Sequence, residues 1–528
     1  EDTSDLWVVS GAVLWGAPRA IGLSGSVIEV DREVAAGVGT GALSEAATMT
    51  SLWDLGGDFE ISATAGGVFA PASLVGEYAG RGGPETAPKK EAFKLGEKTE
   101  NSVSNPEGHW GLNVSGDFAG AFTNDAVTAW LADQGTLTGV SGDTLGVSAA
   151  NTTRTHAVAG AAAIVNAGRG QGATAGSSGS VGMIEHDSLV EAQVASVTLA
   201  GLAVEVQAVN NKLLGSFAGG LQVAVVTDAD LQLAGSVAFN QVTNTTGAEL
   251  TGVTGTGLEE VQVEAVSSDE AWAAAGVLSV NIDRADLAGD LKDKAKTIVG
   301  VGASGAMQGL TNATTAQVSD SELEVGGAVA VEAADYTRSL VLSAGVDVTV
   351  SAGTDVTVGG MFATTNLRPN TQALVTGSQI TSETQPGSQP LDVSALLIPA
   401  LVGTAGYVSL DWGKLFSLKE NEVGVGVGAG VVVTNIAGDG TDLAETVARV
   451  TASDLDWNTG EVAVTAYSGA MTAGYETSAT PTTTGTNSLY LLAVAGSAQA
   501  ENGSAVSVGV DVAGDHRLDA RARHLGGG

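Results

Sequence analysis

The sequence predicts an all-β fold, a right-handed parallel β-helix. Three observations carry that prediction: a five-residue strand pattern written seven times, an anchor before each copy, and a composition suited to narrow stacked coils. The clearest copy is Val329-Ala330-Val331-Glu332-Ala333, with apolar residues at every second position and Ala330 and Glu332 between them. That period belongs to a strand with one face buried. The inward pairs of the seven copies are Ile61/Ala63, Val147/Ala149, Val206/Ala208, Val263/Ala265, Val331/Ala333, Val393/Ala395 and Val464/Ala466, expected as the structural core of the repeat.

Spacing supplies the second observation. The closing alanines recur at intervals of 86, 59, 57, 68, 62 and 71 residues. An Ala-x-apolar anchor precedes each by 16 to 22 residues, as in Ala129-Trp130-Leu131, Ala248-Glu249-Leu250 and Ala448-Arg449-Val450. A gap near twenty residues matches one ordinary β-helix coil, so a repeat of about 60–70 residues is expected to hold roughly three coils. On that basis residues 1–528 form one solenoid of about 24 coils, and at ~4.8 Å per coil a rod ~115 Å long. Composition is the third observation. The 528 residues include 74 glycines, 10 prolines and few aromatics. Gly serves tight bends, and Ala and Val fill a core too narrow for stacked rings.

Along the chain, residues 1–46 read as the back part of a repeat, with Val27, Ile28 and Val30 in a short strand. An inserted loop is expected over 77–110, where Pro84, Pro88 and Pro106 accompany Lys89, Lys90, Lys94 and Lys98. A small charged excursion is expected over 283–297, with Asp286, Asp290, Lys292 and Asp293. A third, over 399–422, carries Trp412, Leu415, Phe416 and Leu418 at a spacing that suits a short amphipathic helix. Asn240, Asn281 and Asn435 are expected at turns after strands. The chain starts partway through one copy and stops as another begins, so stacking on copies of itself, head to tail, is expected.

The formal charge of −37 excludes nucleic acid as a partner, since phosphate contacts need basic stripes. No cysteine is present, which removes disulfides, thiolate metal sites and thiol catalysis. The apolar run Leu6–Trp15 is too short for a helical membrane span.

Chemistry is sparse. His109, His156, His186, His516 and His524 share no metal-ligand spacing, and Glu185-His186-Asp187 reads as a polar turn. Gly424, Gly426, Gly428 and Gly430 alternate with Val423, Val425, Val427 and Ala429, which is strand chemistry rather than a nucleotide loop. Gly438-Asp439-Gly440-Thr441-Asp442 resembles half of a calcium-roll turn, making Asp439 and Asp442 the weak calcium candidates; no other cofactor is expected. Five Asn-x-Ser/Thr sequons occur, at Asn113, Asn151, Asn244, Asn312 and Asn502. The tract Thr480–Thr486 reads as a Pro-broken loop. No paired carboxylates or basic strand face mark a polysaccharide lyase or hydrolase, so an enzyme is not expected.

The recurring unit Ala316-Gln317-Val318, Ser321-Glu322-Leu323 and Val329–Ala333 resembles that of the large repetitive parallel β-helix adhesins of bacterial surfaces, the filamentous-haemagglutinin and leukotoxin-like filamentous adhesin type. The likeness covers most of the chain from about residue 40 onward. It implies an extracellular or cell-surface fibre that attaches cells to surfaces, to surface glycans or to one another. A polysaccharide-binding or polysaccharide-degrading β-helix, marked by a groove of aromatics and carboxylates, and a trimeric phage or secretion-system fibre are the alternatives.

Overall fold

In a computed structural model, the structure describes residues 1–15, 19–39, 53–54, 58–80, 111–132, 135–166, 174–226, 230–283, 297–350, 354–382, 390–411, 424–436, 444–456 and 462–468, and the backbone of four later strands between 490 and 524. Among these residues every regular element is a strand.

The strands form two parallel sheets. The first stacks Phe59–Gly80, Thr144–Asn166, Ala203–Val226, Val261–Asp283, Val329–Val350, Leu391–Asp411 and Val462–Ser468 in chain order, headed by Asp2–Thr3 and Leu6–Trp15 and followed by Leu518–His524. The second stacks Arg19–Val38, Gly111–Ala132, Thr174–Ala195, Asp230–Thr251, Thr297–Ser319 and Thr354–Thr376, the last pairing with both Gly424–Ile436 and Ala444–Asp456. Short strands such as Thr198–Ala200, Thr254–Leu258 and Glu322–Val325 extend the second sheet round a corner. The path runs from a long first-sheet strand to a long second-sheet strand, through a short strand, and on to the next first-sheet strand. This is a parallel β-solenoid.

The seven triplets lie in one sheet, one above the other. Val147 pairs with Val206, Val206 with Val263, Val263 with Val331, Val331 with Val393, and Val393 with Val464. Ile61 heads the column on Val147. The closing alanines keep the same register in a second column. Ala63 pairs with Ala149, Ala149 with Ala208, Ala208 with Ala265, Ala265 with Ala333, Ala333 with Ala395, and Ala395 with Ala466. All fourteen predicted core residues are buried, and they share one cluster with second-sheet residues such as Val190, Leu250 and Val318.

The coil count differs from expectation. Each repeat makes one circuit rather than three, because its long strands run 20–24 residues where the chain is most regular. The sixteen-to-twenty-two-residue gap is therefore a corner. The anchor ends a second-sheet strand, the short strand turns, and the triplet opens the next first-sheet strand. At ~3.3 Å per residue a rung is about 70 Å wide, and the first sheet's nine stacked positions rise only about 40 Å at ~4.8 Å each. The molecule is a broad slab rather than a thin rod.

The corner explains the Ser-x-Leu element. Ser196, Gly252, Asp320 and Gly377 follow second-sheet strands and Ala452 lies at a register shift within Ala444–Asp456, each with φ between +50° and +63°. Their N–H groups step up the stack: Gly252 donates to Ser319 O, Asp320 to Thr376 O and Gly377 to Thr451 O. One residue further on, Ser321 N–H donates to Ser378 Oγ, and Ser378 N–H to Ser453 Oγ, both at 3.2 Å. Each hydroxyl in turn donates to a carbonyl two residues back, Ser321 to Ser319 O at 2.8 Å. The serines thus satisfy backbone groups where the ladder bends.

Two of the three expected excursions open on residues that belong to strands. Residues 399–411 belong to the strand Leu391–Asp411, so the proposed 399–422 helix does not begin there. Residues 412–422 lie outside the described residues. Likewise 77–80 complete the strand Phe59–Gly80, while 81–110 and 284–296 lie outside the described residues. Asp439, Asp442 and Thr480–Thr486 also lie outside them.

Candidate functional site

The repeat core itself is structural. The methyls of Ala63, Ala149, Ala208, Ala265, Ala333, Ala395 and Ala466 pack in the dry cluster and offer no donor, acceptor or charge. Chemistry begins just beyond four of them, at inward positions that hold polar and charged residues. Two and four residues after Ala149, Ala208, Ala265 and Ala333 stand Asn151 and Thr153, Asn210 and Lys212, Ser267 and Asp269, Asp335 and Thr337; all eight are buried. The outer copies differ. Two residues after Ala63 and Ala395 stand Ala65 and Leu397, both buried and apolar, and two after Ala466 stands Ser468, buried and polar. The seven copies are therefore alike in the triplet and unlike beyond it.

Register stacks Asn151, Asn210, Ser267 and Asp335 in one column. Opposite, the second sheet stacks Arg32, Asp125, Ser188, Asn244 and Asn312. The facing columns form an ionic spine parallel to the stacking axis.

Its contacts fall into three groups, each bridging the two sheets. Arg32 Nη2 lies 2.8 Å from Asp125 Oδ2 and Nε donates to Oδ1 at 3.1 Å. The same guanidinium donates to Gly66 O at 2.6 Å and to Thr153 Oγ1 at 2.7 Å. Asn210 donates to Ser188 Oγ at 2.9 Å. Lys212 Nζ donates to Asn244 Oδ1. Asn244 Nδ2 then donates to Asp269 Oδ2 at 2.5 Å and to Asn312 Oδ1 at 3.1 Å. Asn312 donates to Thr337 Oγ1 at 2.8 Å, and Thr337 to Asp335 Oδ1 at 2.6 Å.

Burial sets the protonation of this spine. Desolvation raises the Asp335 carboxyl to about 7, the Asp269 charge adding to the effect. Desolvation lowers the Lys212 ammonium to about 8, while Asp269, Asp125 and Asp187 favour its charged form. His186, fully buried, is pushed well below the usual imidazole range by desolvation and then by Lys212 and Arg32, so it is neutral. It shares a hydrogen bond with Thr123 through Nδ1.

The structure corrects several sequence readings here. Glu185-His186-Asp187 is no turn but the middle of the strand Thr174–Ala195, with only His186 facing inward. Asn240 is buried mid-strand and donates to Trp272 O at 2.8 Å, and Asn281 is also buried within a strand. Polar residues at period two look like turn formers when packing is unknown. Four sequon asparagines, Asn113, Asn151, Asn244 and Asn312, are buried, so the folded chain cannot present them to a glycosyl donor. The recurring offset of the polar pair from four of the alanines was the signal that could have revealed the spine.

On the outside, a groove crosses the first sheet above the spine, lined by Asp5, Arg154, Glu270, Tyr336 and Arg338 among others. Arg154, Leu213, Glu270 and Arg338 occupy one column on successive rungs. Arg154 and Arg338 are therefore about 14 Å apart at ~4.8 Å per rung. In the next column Trp272 lies over Gly215, where a Cβ would come within 2.1 Å of the indole, and its ring centroid is 6.0 Å from that of His156. Only glycine leaves that seat open.

Past this belt the outer polarity reverses. In the strand Val261–Asp283 the outward residues are Gln262, Glu264, Val266, Ser268 and Glu270, then Trp272, Ala274, Gly276, Leu278, Val280 and Ile282. Leu74, Phe217, Leu278, Leu340, Leu342 and Val408 are exposed on the first sheet, and Leu231, Leu233, Val301, Val358, Phe362 and Val431 on the second. The same rungs turn Ser216, Gln222, Ser279, Ser304, Ser343 and Asp347 inward, all buried. Among the described residues no cluster of metal-ligating side chains occurs, and no helix is long and apolar enough to cross a membrane.

Comparison with protein-family models, with curated proteins and with solved structures returns no match.

Proposed function

We propose that this chain is a load-bearing segment of an extracellular or cell-surface fibre or matrix, one that works by shape and stiffness and carries out no reaction. The observation that supports this is the unbroken register of the Val/Ala column, Ile61 through Val464, in a parallel ladder. Each rung hydrogen-bonds to the next over about twenty residues in the regular region, so pulling along the stack loads many backbone bonds at once. A parallel ladder also has no intrinsic last rung: an end strand offers free N–H and C=O groups to the next copy. Electron microscopy of the native particle tests the reading. Particles extended along the stacking axis by whole slabs are expected, and uniformly single slabs at every concentration would overturn axial assembly.

The groove supports a second reading, recognition of an anionic glycan. Arg154 and Arg338 flank Tyr336 and Glu270, a cation and aromatic arrangement suited to carboxylated or sulfated sugars. A glycan array read with the unaltered chain and with Arg154→Ala/Arg338→Ala tests it; binding that survives the double substitution excludes this groove.

A further inference from the structure

We infer that copies of this chain pack face to face through the outward apolar halves of both sheets, building a laterally stacked assembly. The inference goes beyond the axial shaft, since it uses the broad faces rather than the ends of the ladder.

The apolar positions form bands rather than scattered residues. From Trp272 onward every outward residue of Val261–Asp283 whose side chain is described is apolar or glycine, and Gly215–Val225 and Leu340–Val348 repeat the pattern on neighbouring rungs. Leu74 is 59% exposed and Leu340 49%. Glycines between them (Gly160, Gly219 and Gly276) leave an apolar groove of ≈ 600 Å³ walled by Phe217 and Leu278. Ridges of Leu and Phe beside glycine troughs allow two such faces to interlock at the ~10 Å spacing of stacked sheets.

Area favours a protein partner of this kind. Eleven residues at ~3.3 Å by six rungs at ~4.8 Å give roughly 1,000 Å² on the first sheet alone. A stable interface needs ~800 Å² per partner, and monomers rarely expose apolar patches beyond a few hundred Å². Charge is compatible as well. Among the residues whose side chains are described, the apolar half of the face carries no outward charge, so copies of a chain with net charge −37 meet where they do not repel. A second copy is the occupant that the area and the uncharged face favour.

Because both faces carry a patch, association does not close at the dimer. Sedimentation velocity over a hundredfold concentration range should show growth beyond dimers for the unaltered chain. Leu278→Lys with Leu342→Lys blocks the first-sheet face, and Leu233→Lys with Phe362→Lys blocks the second. Either pair should stop lateral growth at dimers, and all four together should give single-width particles. Gln262→Lys, on the polar half of the first sheet, should change nothing. Circular dichroism confirms that each variant keeps its β signal, and these outward positions leave the inner core intact. An unaltered chain that stays monomeric throughout, or face variants that associate as before, would overturn the inference. So would flotation of the unaltered monomer with phosphatidylcholine vesicles, which would assign the faces to lipid. Images separate this from the shaft reading: lateral packing sets particle width, and axial stacking sets length.

Discussion

The two halves of each rung use the same strand to opposite ends. Near the corner, Val261, Val263 and Ala265 point inward to a dry cluster while Gln262 and Glu264 face water. Past the spine, Ala271, Ala273, Ala275 and Val277 still point inward into small apolar clusters and Ser279 and Asn281 follow them, while Leu278, Val280 and Ile282 point out. Backbone pairing is continuous through both, from Val204↔Val261 to Val225↔Ile282. Alternation alone therefore does not tell which face is the core; composition on each parity does. The corner half holds its apolar surface within the molecule, and the far half leaves much of it outside.

The sharpest way to break this contrast lies at the boundary. Arg32→Ala would leave Asp125 buried without its cation and Gly66 O without its donor. A loss of about 3–5 kcal/mol is expected, read by denaturant unfolding together with amide exchange in the flanking rungs. A loss below about 1 kcal/mol would mean that the spine is not dry.

Next comes Asp335→Asn, which should stabilise. The folded carboxyl is raised to about 7 from 3.8. Well below pH 4, folded and unfolded chains both hold the proton and no cost arises. Between pH 4 and 7 the unfolded chain releases a proton that the folded one keeps, so stability falls as pH rises, and above 7 the full cost is present. Asparagine keeps an oxygen for Thr337 and removes the charge, and Asp335 Oδ2 has no partner to lose. The variant should nearly match the unaltered chain at pH 4 and exceed it by roughly 2–4 kcal/mol at pH 8. Equal stability at both values would place Asp335 in contact with solvent.

Two further substitutions weigh the halves directly. Val331→Ala, in the middle of the ladder, should cost about 2 kcal/mol from lost transfer energy and the cavity left behind. Leu342→Ala, outward in the far half, should cost under about 0.5 kcal/mol in dilute monomer. If Leu342→Ala costs as much at low concentration as Val331→Ala, the far half is covered from within the molecule after all.

Much of the fold was legible in the sequence. Val331 and Ala333 announce a strand with one buried face, and their recurrence from Ala63 to Ala466 fixes which strands stack. Rung length was not legible, because strands are usually 3–10 residues and a twenty-residue gap suggests a whole coil. Phe59–Gly80 carries Gly66-Gly67 and Pro71, which read as breaks, yet it is a single strand of 22 residues. The spine was hidden for a related reason. Lys212 and Asp269 are inward by parity, but a buried charge is rare enough that sequence reasoning assigns it to solvent. The outward apolar band went unread because Leu278, Val280 and Ile282 satisfy the strand pattern whichever way they point.

The spine has a consequence for assembly fidelity. A ladder of valine and alanine repeats itself every two residues, so a neighbour sliding by one such step meets almost the same apolar surface. Lys212 and Asp269 do not repeat that way. Moved two positions, Lys212 would stand against Ser267 or Ala271 and its ammonium would be stranded in the interior. The hydrophobic column thus acts like a coarse ruler and the charges like its vernier, so that each added rung locks at a single setting.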